Sequence, residues 1–116
     1  MILMWNMVWI LVSVIMGAAG QVLLKFGAMH PNESMSGPLR MLNLYNAGGI
    51  FLYGASALIW MFVLRKVELS YAYPFVSLAY IIVLVASYYF FGESINTYKI
   101  AGLVLIVGGI AFISRA

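Results

Sequence analysis

Cysteine is absent from this 116-residue chain, and only 8% of its residues are charged. The first absence excludes a disulfide framework, a thiolate metal site and a cysteine nucleophile. The second excludes an ordinary soluble domain, in which about a quarter of the residues are charged. His30 is the one histidine and sits in a breaker-rich stretch, too isolated to serve a metal site or a proton relay. Glu33, Glu68 and Glu93 are the only carboxylates, and all three lie outside the long apolar runs. A Ser-His-acid triad therefore has no supporting geometry. Neither catalytic residues nor a cofactor is expected. The six cations are dispersed, so no basic cluster exists that would hold nucleic acid, and the net charge of +3 suits anionic lipid headgroups better.

What fills the chain instead is hydrocarbon, at 66% hydrophobic residues. Uncharged stretches occupy Met1 to Leu24, Met41 to Leu64, Leu69 to Gly92 and Ile100 to Ser114. Three of them exceed the roughly 20 residues needed to cross a bilayer. The fourth reaches that length if its helix begins near Asn96 and the Lys99 ammonium snorkels to the interface beside Tyr98. The expected fold is all-α, a polytopic membrane protein with four transmembrane helices, and residues 1–116 are read as a single four-helix transmembrane domain. No basic n-region precedes the first apolar run, which is also longer than a signal-peptide core, so it is expected to stay as the first helix.

Helix one is expected over Ile2 to Phe26, followed by the one long loop, rich in Gly, Pro, Asn and Ser. Helix two spans about Asn43 to Leu64, and the Arg65-Lys66-Val67-Glu68 link makes helix three its antiparallel neighbour. Pro74, in the first turns of helix three, predicts a local kink or opening. Ser94 or Asn96 is placed to cap helix four. In this topology Lys25, Arg40 and Lys99 lie on one side of the membrane and Arg65, Lys66 and Arg115 on the other. Such a balance permits insertion in both orientations and an antiparallel dimer. If Lys25 and Lys99 count weakly, it fits equally a single orientation with Arg65 and Lys66 cytoplasmic.

Polar side chains inside the spans are the candidates for function, because a polar group facing lipid is costly. Ser13, Gly17, Gln21 and Lys25 recur at every fourth position of helix one and share a face. Helix packing through Gly17 and Gly20 accounts for much of that stripe, but an ammonium on the same face as Gln21 points to an anionic substrate. Tyr73, Ser77, Tyr80 and Ser87 fall along one seam of helix three if it winds as an α-helix. Tyr71, Tyr88, Tyr89 and Tyr98 fit an interfacial aromatic belt. Tyr53 of helix two is a further cavity candidate, among glycines that permit close helix approach. Helix four has no polar side chain from Ile100 to Ile113, and its small residues Ala101, Gly102 and Gly109 mark a face for a dimer contact. A homodimer is expected, or a heterodimer with a related small subunit.

Four helices, the Gly20-Gln21-x-x-x-Lys25 end of helix one, the Ala72-Tyr73-Pro74-x-x-Ser77-Leu78 opening of helix three and Phe90-Phe91-Gly92-Glu93 before a Gly-rich helix four form a recognisable combination. The chain resembles the small four-helix members of the drug/metabolite transporter superfamily, with their EamA-like and small multidrug resistance fold. In small multidrug resistance exporters, antiparallel homodimers bind cations at a glutamate in mid-helix one, and Gly17 stands at that position here. The Gly20-Gln21 and Tyr73-Pro74 features are closer to the flippase subunits for aminoarabinose-phosphoundecaprenol. That resemblance implies transport of an anionic polyprenyl-phosphate-linked sugar, or a related amphipathic lipid or small molecule, across a bacterial or archaeal inner membrane. The competing classes are a multidrug exporter of cations and a non-transporting subunit of a larger membrane complex.

Overall fold

The computed structural model describes residues 2–116, with side chains from residue 4 onward. Its described residues form an all-helical bundle. Helix 1 spans Ile2–Met29, helix 2 Leu44–Leu64, and helix 4 Thr97–Ile113. Helix 3 covers Leu69–Phe91 in three parts, α-helical at Leu69–Ala72, 3-10 over Tyr73–Leu78 and α-helical again over Ala79–Phe91. Helices 1, 2 and 3 are long and apolar enough to cross a membrane, and helix 4 is a shorter apolar helix.

The opening at Pro74 has a direct cause. Proline has no N–H to return to the carbonyl four residues earlier, so the chain tightens to i→i+3 bonding around it. Six residues of 3-10 winding follow from Tyr73. Caps set the other ends. Asn43 accepts the Asn46 backbone N–H at 2.9 Å, and Asn96 accepts that of Lys99 at 2.9 Å. Gly92, at φ 65°, supplies the left-handed residue that ends helix 3, and the Glu93 N–H returns to the Ser87 carbonyl. Helix 1 runs one turn beyond its expected end because Gly27 is accommodated within the helix, with His30 Nδ1 hydrogen-bonded to the Phe26 carbonyl oxygen.

Asn43 also ties the two sides of the long loop together. Its amide donates to the Gly27 carbonyl at 3.0 Å and to the His30 carbonyl at 3.1 Å. The segment between carries a 3-10 turn at Gly37–Met41 and is pinned by the Asn32 N–H to the Arg40 carbonyl. Helices 1 and 2 thus form an antiparallel hairpin in intimate contact. Toward its loop end, a Cβ added to Gly20 would lie 2.9 Å from the Gly49 carbonyl oxygen, and one added to Gly49 would lie 2.8 Å from that of Gly20. Only glycine permits this backbone approach.

The buried core lies toward the Arg65-Lys66 end, where Ile10 and Val14 meet Val63, Ala72, Phe75 and Ile110. Most other large apolar side chains point outward, as in Leu105 and Phe112. In water that surface would aggregate, whereas in a bilayer it is the normal lipid-facing exterior.

Candidate functional site

A groove of about 280 Å³ opens where helix 1, helix 2 and the 3-10 part of helix 3 converge. Helix 1 contributes Ser13, Gly17 and Gln21, and helix 2 contributes Tyr53, Ser56 and Trp60. No charged side chain lines it. The Ser13 hydroxyl donates to the Ser56 carbonyl at 2.8 Å, and the Ser56 hydroxyl to the Tyr53 carbonyl at 2.6 Å. Both serines are buried, and their hydroxyls bond to backbone rather than stand open in the groove. Gln21, Tyr53 and Tyr73 are exposed and Trp60 is half-buried, so the polar groups that line the groove besides the serines are an amide, two phenols and an indole.

The third wall shows why helical winding matters. An α-helix aligns Tyr73, Ser77 and Tyr80, but 3-10 winding repeats every three residues. The groove is lined by Tyr73, Val76 and Ala79. Ser77 is exposed and Tyr80 half-buried, and neither lines the groove. Ser56 and Trp60, absent from the expected set, stand three and seven residues after Tyr53. That is helical spacing, and it was the signal that would have found them.

Lys25 lies one turn beyond Gln21, outside the groove lining. Its ammonium is 3.9 Å from Glu93 Oε2 and 5.8 Å from the centroid of the Phe91 ring, with both charged side chains about half exposed. Phe26 continues this end as an aromatic cluster, its ring centroid 4.8 Å from that of Phe91 and 5.8 Å from that of Tyr45. The cation therefore sits at one mouth of the bundle, loosely held by a carboxylate that the left-handed turn at Gly92 brings beside it.

On helix 4, Ile106 and Ile110 turn toward the core, leaving the small-residue face uncovered. A Cβ at Gly102, Gly108 or Gly109 would meet nothing within 4 Å, and Ala101 is exposed. This face is not used for packing within the described chain.

Residues 3–115 match the EamA-like transporter family. The chain belongs to that family. As an EamA-like transporter with helices long enough to span, it is an integral protein of the bacterial inner membrane, and the relatives that carry a functional name are flippase subunits rather than enzymes. It is 32% identical over 106 residues to the probable 4-amino-4-deoxy-L-arabinose-phosphoundecaprenol flippase subunit ArnE of Erwinia tasmaniensis, covering 91% of this chain and 94% of that protein. The probable flippase subunit ArnF of Photorhabdus laumondii is 32% identical over 120 residues, covering 93% and 95%. An uncharacterized protein, y4nH of Sinorhizobium fredii, is 33% identical over 97 residues, covering 83% of each chain. No solved structure matches the chain.

Proposed function

We propose that this EamA-like transporter flips an anionic polyprenyl-phosphate-linked sugar across the inner membrane, residues 1–116 acting as one four-helix domain. The observation that carries this reading is a neutral polar groove, free of carboxylates and bordered at one mouth by a cation. A cation exporter gains from a negative charge in its groove, whereas this lining offers an amide, phenols, the Trp60 indole and bound serine hydroxyls but no carboxylate. A sugar headgroup can exchange hydrogen bonds with Gln21, Tyr53 and Tyr73 while its lipid tail stays in hydrocarbon. Lys25, released from Glu93, meets the phosphate at the mouth. Charge-assisted contacts of this sort are stronger than neutral ones, and a half-exposed pair at 3.9 Å is weak enough to yield. Ser13, Gly17 and Gln21 then form the helix 1 side of the path, with Ser77 and Tyr80 beyond it along helix 3.

The groove's volume of about 280 Å³ falls just below the range of ligand pockets, roughly 300 to 1,000 Å³, which supports completion of the path by a second subunit. The open face at Ala101, Gly102 and Gly109 supports a dimer contact there, an antiparallel homodimer or a pair with a related small subunit. Flipping of a labelled polyprenyl-phosphate sugar in vesicles tests the proposal, with a quaternary ammonium compound as competitor. Lys25→Ala is expected to weaken headgroup binding by roughly 1.5 to 3 kcal/mol, Lys25→Arg to restore part of it, and Gln21→Leu to impair selectivity in a folded protein. Transport of the cation without the lipid, in the same vesicles, overturns the reading. So does recovery as an inactive subunit of a larger complex whose activity survives both substitutions.

A further inference from the structure

A second cleft lies at the other end of the bundle from Lys25, between the start of helix 1 and the end of helix 2, with a volume of about 540 Å³. Trp5 and Trp9, one turn apart, stand edge to face on its wall, ring centroids 6.2 Å apart at 81°. Asn6, only 7% exposed, lines it beside them, a polar side chain buried near the end of a membrane helix. Arg65 and Lys66 bring two positive charges to the cleft, and Phe62 carries it toward the apolar flank of helix 2. Among the described residues the one ion pair is Lys25 with Glu93, so neither Arg65 nor Lys66 has a carboxylate within 4.0 Å.

Read along the helices, the cleft presents cations, then an indole wall, then hydrocarbon. An anionic lipid presents its complement in the same order, as phosphate, then glycerol, then acyl chain. Indole faces also attract quaternary ammonium groups, but two positive charges at the same cleft, neither in an ion pair, oppose a choline headgroup and favour a net negative one. We propose that this cleft binds one anionic phospholipid of the surrounding bilayer, its phosphate on Arg65 and Lys66 and its glycerol and upper acyl segments against Trp5, Trp9 and Phe62. The site is separate from the transport groove. The two linings share no residue: on helix 1 the cleft ends at Trp9 and the groove begins at Ser13, about 6 Å further along at 1.5 Å per residue, with the buried Ile10 between them. The assignment stands whether or not the groove carries a lipid-linked sugar.

The three tryptophans make the test direct, because Trp60 lines the groove and the other two line the cleft. The Trp60→Phe protein, checked for fold by circular dichroism, is placed in phosphatidylcholine nanodiscs. Increasing amounts of phosphatidylglycerol, brominated on its upper acyl carbons, are then added to the bilayer. Emission from Trp5 and Trp9 is expected to be quenched at a mole fraction about tenfold lower than with brominated phosphatidylcholine. Arg65→Gln with Lys66→Gln is expected to abolish that preference, and the exchange Arg65→Lys with Lys66→Arg to retain it. Equal quenching by the two lipids overturns the proposal and leaves the indoles as ordinary interfacial residues. A preference that survives loss of both charges overturns it as well. Reversal of the quenching by inorganic phosphate in the aqueous phase assigns the cleft to the free anion and rejects the lipid.

Discussion

Where helix 1 crosses helix 2, Gly20 and Gly49 bring two backbones so close that neither tolerates a Cβ, whereas on helix 4 Gly102, Gly108 and Gly109 have open space above them. The same residue type serves both regions, and composition alone does not tell them apart. In the first, the missing side chain has been filled by the neighbouring backbone, and Ser13 adds a hydrogen bond to the Ser56 carbonyl across the seam. In the second, the bare surface is left over after Ile106 and Ile110 have satisfied the core. A membrane helix gains nothing from burying apolar surface away from lipid, so close fit and hydrogen bonds decide which surfaces associate. The hairpin of helices 1 and 2 uses both. The small-residue face of helix 4 uses neither within the described chain.

Substitutions at glycine break this contrast most forcefully. Gly49→Val drives a side chain into the Gly20 carbonyl and Leu24, a contact that backbone cannot relieve, and is expected to cost about 3 kcal/mol. Thermal unfolding in detergent measures it, and an unchanged midpoint would mean that the two helices do not meet as described. Gly109→Leu is expected to leave that midpoint unaltered while weakening self-association about tenfold, or about 1.4 kcal/mol. Single-molecule counting in bilayers reads the association, and an unaffected dimer would move the contact off helix 4. Ser13→Ala sharpens the hairpin side of the comparison, since loss of its bond to Ser56 is expected to cost about 1 kcal/mol. The smallest effect on folding belongs to Lys25→Ala, because a half-exposed pair at 3.9 Å contributes less than about 1 kcal/mol. A large drop in its midpoint, rather than in lipid binding, would make Lys25 a structural residue.

Much of the bundle was legible because hydrocarbon length is a coarse signal. Uncharged runs located all four helices, Pro74 announced the opening in helix 3, and Asn96 capped helix 4 as its side chain suggested. The groove was half legible. Ser13, Gly17 and Gln21 follow α-helical spacing on an uninterrupted helix, so their common face could be read directly. Beyond Tyr73 the winding changes, and a local hydrogen-bonding pattern that spacing alone does not encode replaces Ser77 and Tyr80 with Val76 and Ala79. The neighbour of Lys25 was harder still, because Glu93 reaches it only through the chain reversal at Gly92. The cleft at Trp5 and Trp9 depends on the antiparallel pairing that returns Arg65 and Lys66 to the start of helix 1.

The lengths of the helices set a mechanical condition on all of this. Helix 1 has 28 residues and helix 4 has 17, so at 1.5 Å per residue they extend about 42 and 26 Å. A hydrocarbon slab of about 30 Å is too thin for the first and too thick for the second. The long helix meets this mismatch by leaning or by reaching into the headgroups. A helix as short as helix 4 crosses such a slab only by standing upright with the lipid around it thinned, and its Lys99 ammonium donates to the Ser94 carbonyl at 2.7 Å. Bilayer thickness thereby becomes a variable of the protein. Shorter acyl chains are expected to lessen the mismatch at helix 4, and longer ones to favour any arrangement that lets two such helices share it.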